Sequence, residues 1–120
     1  MVGVALFFGA GLWWYQDGGD SSTAAVHGGE VSVVLTDHGF EPREITIARG
    51  TTVTFSSTRP TQFWPASNLH PSHEIYPEFD PKRPLEPDET WAFTFDKVGV
   101  WNMHDHIRSY FTGTIYVVEK

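Results

Sequence analysis

From Glu30 onward, apolar and polar residues alternate in short runs. Val31 to Thr36 (VSVVLT) is rich in β-branched residues and predicts a strand. Glu44 to Ala48 alternates through Ile45 and Ile47, and Thr51 to Ser56 does so through Val53 and Phe55, with Arg49-Gly50 turning the chain between them. Gln62 to Trp64 reads as a further short strand. Thr90 to Phe95 alternates through Trp91, Phe93 and Phe95, Val98-Gly99 makes another turn, Val100 to His104 follows, and Thr112 to Val118 closes the series. Between Pro65 and Pro87 the prolines cluster and no period survives, which predicts one long loop of the kind that carries function. No segment of any length has the helical period. About seven short strands in this span predict an all-β fold, an antiparallel β-sandwich.

The first 29 residues have a different character. Met1 to Tyr15 carries no charged side chain and ends in Trp13-Trp14-Tyr15, aromatics suited to a membrane–water interface. The run is shorter than the roughly 20 residues that span a bilayer comfortably, and it lacks the basic flank of a signal peptide. It is read as an N-terminal anchor or signal remnant (1–15), against the alternative of a buried strand or helix. Gln16 to Gly29, rich in Gly, Ser, Thr and Ala, is read as a flexible linker, and 30–120 as the folded domain. Anchor, tether and domain together suggest an extracytoplasmic protein, either membrane-anchored or released.

Composition narrows the chemistry. A net charge of −7 disfavours nucleic acid, which needs a basic face, and suits a cation. The absence of cysteine excludes disulfides, thiolate zinc sites and iron–sulfur clusters. Four of the six histidines fall in two pairs, His70-Pro71-Ser72-His73 and His104-Asp105-His106. Two residues apart on a strand, His104 and His106 would share one face with Cβ atoms about 6–7 Å apart, close enough to chelate one ion. Pro71 stiffens the spacing of the other pair within the expected loop. The candidate metal ligands are therefore His70, His73, His104 and His106, with at least one of the loop pair, His73 favoured, expected to bind. Asp105 is expected to face away from both neighbours and to act as an acceptor for an imidazole. Met103, Trp64, Trp91 and Trp101 are expected in the core. Glu74, Glu78 and Asp80 are expected to be solvated, and His27 and His38 to be bystanders.

Two blocks carry a family resemblance. Phe40 to Phe55 (FEPREITIARGTTVTF) is similar to the opening of cupredoxin domains. So is the later succession Leu85-Glu86-Pro87-Asp88-Glu89, Phe93-Thr94-Phe95, Gly99-Val100-Trp101, then a ligand motif and Gly113-Thr114-Ile115-Tyr116-Val117. The resemblance spans Glu30 to Lys120 and implies a cupredoxin-like Greek-key β-sandwich. Blue-copper members hold the metal with two His, one Cys and a weak axial Met. The resemblance puts the cysteine position at or beside Asp105, so this chain cannot build that site. Its His-x-His element is similar to the one in multicopper oxidase domains, where histidines bind type 2 and type 3 copper. His-Pro-x-His resembles another ligand motif of those oxidases.

Three or four imidazoles without thiolate suit copper, with zinc as the alternative. The expected function is a copper-binding protein with a histidine-rich, type 2-like site, exchanging metal or electrons with a protein partner. A small type 2 copper oxidoreductase and a metal-free interaction module are the alternatives; the cluster of a multicopper oxidase would need a homo-oligomer that contributes histidines across its interfaces.

Overall fold

The computed structural model describes residues 25–68 and 76–119. Nine strands form two sheets: β1 (Val26–His27), β2 (Glu30–Thr36), β3 (Gly39–Glu41), β4 (Glu44–Ala48), β5 (Thr51–Ser57), β6 (Pro65–Ser67), β7 (Trp91–Phe95), β8 (Gly99–Asp105) and β9 (Thr112–Val118). The first sheet has the order β1-β4-β9-β8-β6 and the second β3-β2-β5-β7. Among the described residues there is no helix, and so none long and apolar enough to cross a membrane. The expected anchor (1–15) and most of the expected linker lie outside them.

The alternating residues behave as their period requires. Ile45, Ile47, Val53, Phe55, Phe95, Trp101, Met103, Ile115 and Val117 all turn inward and are buried between the sheets. One expectation fails, because the sandwich is mixed rather than antiparallel. β1 runs parallel to β4, β4 to β9, and β2 to β5. The cause lies in the turn between β4 and β5. Arg49 N donates to Val118 O in the first sheet at 2.7 Å, and the next amide, Gly50 N, donates to Phe95 O in the second at 2.7 Å. Gly50 reaches the φ of +94° that this crossing uses. The turn thus crosses between sheets instead of closing a hairpin, and β5 finds β2 as a parallel neighbour.

Three further details depart from the sequence pattern. Val26–His27, inside the stretch read as linker, adds a strand beside β4. The strand expected at Gln62 to Trp64 is displaced to Pro65–Ser67, and Phe63 makes only an isolated bridge to Leu85. The long segment expected to be one loop contains that strand and returns through the core. Tyr76, Phe79 and Leu85 are each at most 1% exposed. Phe79 stacks on Trp91 and Phe93 and meets Phe95 edge-on, while Tyr76 meets Trp101 edge-on with ring centres 4.8 Å apart. These rings close the side of the sandwich between β6 and β7, an arrangement worth more than its buried area alone.

Candidate metal centre

Strand β8 positions the chemistry. Its inward row is Trp101, Met103 and Asp105, and its outward row includes Asn102 and His104. His104 pairs with Thr112 of β9 on one side and Ala66 of β6 on the other, so its backbone is held from both sides.

The strand ends at Asp105, and the side chain of that residue ends it. Asp105 is fully buried, and its Oδ1 accepts from Trp64 N at 2.9 Å and from Ile107 N at 3.3 Å. The second bond, from the residue two positions ahead, is an Asx-type turn that redirects the chain straight after His106. Around it, His106 N donates to Trp64 O at 2.7 Å and Asp105 N to Phe111 O at 2.9 Å. Asp105 therefore does face away from both histidines, but it accepts backbone amides rather than an imidazole. Its Oδ2 is buried with no hydrogen-bond partner.

With the chain turned in this way, the two imidazoles meet on the outer face. Nε2 of His104 lies 3.3 Å from Nδ1 of His106. Two nitrogens so spaced subtend about 105–110° at one ion when each bond is about 2.0–2.1 Å. The donor pair therefore fits a single metal of tetrahedral or similar geometry. The opposite nitrogen of His104, Nδ1, lies 2.9 Å from Oδ1 of Asn68. His104 is half-buried and His106 exposed. Burial first, and then the adjacent His106, push the His104 imidazole below its ordinary pKa, against the opposing pull of Asp105 and Asp80. The ring is thereby kept neutral with a lone pair available.

Trp64 forms one wall. Its ring centre is 4.7 Å from that of His106, and its Nε1 donates to Asp80 Oδ1 at 2.8 Å. Trp64 is thus only partly buried and lines the site instead of the core, whereas Trp101 and Met103 are core as expected and Trp91 packs against it. Asp80, expected to be solvated, is tied to Trp64 Nε1 and to Lys82 N at 2.8 Å. Glu78 is exposed and lies 3.6 Å from Lys97 Nζ.

His70, His73 and Glu74 lie outside the described residues. Among the described residues no cluster of three or more His, Asp or Glu side chains forms a metal site, so the structure brings together His104 and His106 and not a full ligand set. Asn68 and Trp64 are the neighbours that sequence reasoning missed. The β6 pairing that sets them beside His104 leaves no periodic signal in a three-residue strand.

No known family profile and no curated protein sequence matches the chain. Solved structures do. A copper-containing nitrite reductase from Thermus scotoductus SA-01 is similar over 76% of this chain and 23% of its own, at 23% identity and a TM-score of 0.64. A purple cupredoxin from Nitrosopumilus maritimus is similar over 73% of this chain and 99% of its own, at 16% identity and a TM-score of 0.63. A reduced amicyanin variant is similar over 83% of this chain and 87% of its own, at 16% identity and a TM-score of 0.62. The chain spans about a quarter of the nitrite reductase and nearly all of the purple cupredoxin. The likeness is one of fold: the chain folds as a cupredoxin.

Proposed function

We propose that this cupredoxin-fold chain binds copper through imidazoles on the outer face of its first sheet, in a non-blue, type 2-like site used to hold and exchange the metal. The observation that carries this reading is the 3.3 Å approach of His104 Nε2 to His106 Nδ1. The fold neighbours support the choice of copper, since one is a copper-containing enzyme and the others are cupredoxins. Copper also has the highest affinity for such nitrogen donors among divalent first-row ions.

A thiolate site does not fit, because the chain has no cysteine. His70 or His73 completes the ligand set in this reading. In sequence, His70 follows two residues after Asn68, which touches His104. Trp64 shields one side of His106 from water, Asn68 holds His104, and Asp105 sets the turn that brings the second imidazole in. When bound, copper would supply a one-electron centre open to a metal-exchange or redox partner protein. The apolar run from Met1 to Tyr15 supports placing the domain outside the cytoplasm, tethered to a membrane.

The test is Cu(II) titration of the full chain, followed by electron paramagnetic resonance and metal analysis beside a His104→Ala/His106→Ala double variant. One equivalent with a type 2 spectrum, lost in the double variant, is expected. An intense blue band, zinc retained in preference to copper, or uptake that survives the double variant would refute the reading. Single His70→Ala and His73→Ala variants then show which loop histidine binds.

A further inference from the structure

We propose that Asn68 sets the tautomer of His104, and thereby the nitrogen that His104 presents to a metal. The proposal rests on the metal-binding reading above and goes one residue deeper into it.

Asn68 is held in place by its main chain: its N donates to Asn102 O at 3.0 Å, which moors it against the outer row of β8. Asn102 is itself fixed, its Oδ1 accepting from Thr114 Oγ1 at 3.0 Å. From there the side chain reaches His104, with Oδ1 at 2.9 Å from Nδ1. An amide oxygen can only accept, so the proton of this bond sits on His104 Nδ1. A neutral imidazole carries one N–H, so Nε2 is then bare, and it is Nε2 that faces His106. Without an acceptor at Nδ1, the ring is free to carry its proton on Nε2, pointing hydrogen at the place where the ion would bind. The pair would thus act as a mixed chelate, Nε2 of His104 with Nδ1 of His106. Asn68 makes no direct bond to the ion in this arrangement; it is a positioning residue.

The experiment uses the full, metal-free chain labelled with 15N, at a pH of about 8 where imidazoles are neutral. Long-range 1H–15N correlations identify the tautomer, with His104 assigned by its loss in His104→Ala. The expected result is a protonated Nδ1 and a bare Nε2 in the wild type, kept in Asn68→Asp, whose carboxylate also accepts, and lost or mixed in Asn68→Leu. Competition titration with Cu(II) should then show Asn68→Leu weakened about 10- to 100-fold and Asn68→Asp not weakened. A wild type with a bare Nδ1, meaning the amide NH2 group faces the ring, overturns the proposal even if Asn68→Leu does not fold. So does a tautomer pattern that Asn68→Leu leaves unchanged. A protonated Nδ1 in a chain that takes up no copper would instead remove the metal reading alone, which keeps the two failures apart.

Discussion

The two faces of β8 use neighbouring residues for opposite purposes. Inward, Met103 and Asp105 are both fully buried, one filling the core and the other terminating the strand by accepting the amides of Trp64 and Ile107. Outward, His104 meets His106 with ring nitrogens 3.3 Å apart and Trp64 packed against the His106 ring. The family resemblance implies a metal-binding cysteine at or beside Asp105. Here that residue is a structural acceptor, and the proposed donors, His104 and His106, stand one residue to either side of it. A period of two is enough to move a candidate site from the inside of a sandwich to its outside while the fold is kept.

The sharpest break between the faces comes from truncating the core side. Met103→Ala should cost about 2–5 kcal/mol in denaturant unfolding while copper stoichiometry below the transition stays at the wild-type value. His104→Ala should cost about 1 kcal/mol or less and abolish the site. A variant pair with the reverse pattern would show that the faces are not separable.

Asp105→Ala comes next. It leaves the amides of Trp64 and Ile107 without their acceptor, at a cost of about 2–4 kcal/mol by urea denaturation. Asp105→Asn retains an accepting oxygen and should lose less than half as much. Equal losses in the two variants would mean that the charge matters and the amide bonds do not.

Gly113→Ala, opposite Met103 on β9, probes the inner face from its partner strand. The added Cβ would sit 2.6 Å from Met103 Cε, which can move, and 2.9 Å from Arg43 O, which is backbone and cannot move freely. A loss of about 1–3 kcal/mol is expected, again with copper stoichiometry intact. Metal loss without instability would contradict the separation of faces.

The smallest effect belongs to Tyr76, on the inner side at the aromatic closure. Burial first, and then its 2.8 Å bond to Asp96, push its phenol up to about 12 from the ordinary value of 10.0. A folded value above the unfolded one means the neutral phenol stabilises the fold fully below pH about 10 and that this stability is lost as pH rises through about 12. Unfolding midpoints measured from pH about 9 to 12 should fall more steeply in the wild type than in Tyr76→Phe, which itself should cost about 1 kcal/mol at neutral pH. Parallel slopes would show that Tyr76 titrates normally.

Local signals in the sequence mark their elements, and signals that depend on distant partners do not. The strands β2, β4, β5, β7, β8 and β9 fall where alternation placed them, because each buries one face and the period states which. Asp105 turned away from His104 follows from the same period, whereas His106 lies past the end of the strand and reaches His104 through the turn that Asp105 holds. Parallel pairing was hidden, because whether Arg49-Gly50 closes a hairpin or crosses between sheets depends on partners far along the chain. Strand β6 lies a few residues beyond the expected one because Phe63, Pro65, Ala66 and Ser67 are all buried, so no alternation marks the outer face. The same stretch hid Trp64 and Asn68, whose importance lies in what β6 sets them against. Tyr76, Phe79 and Leu85 look like loop residues among prolines, and only the gap between β6 and β7 gives them a core to enter.

The proposed donors are imidazoles at the outer face and end of β8. Counting the nitrogens on copper tests it most directly, by X-ray absorption and pulsed electron paramagnetic resonance on the loaded full chain. At least three imidazole nitrogens at about 2.0 Å, no sulfur, and the loss of this shell in His104→Ala/His106→Ala are expected. An oxygen-dominated shell, or an imidazole count that the double variant leaves unchanged, would contradict it.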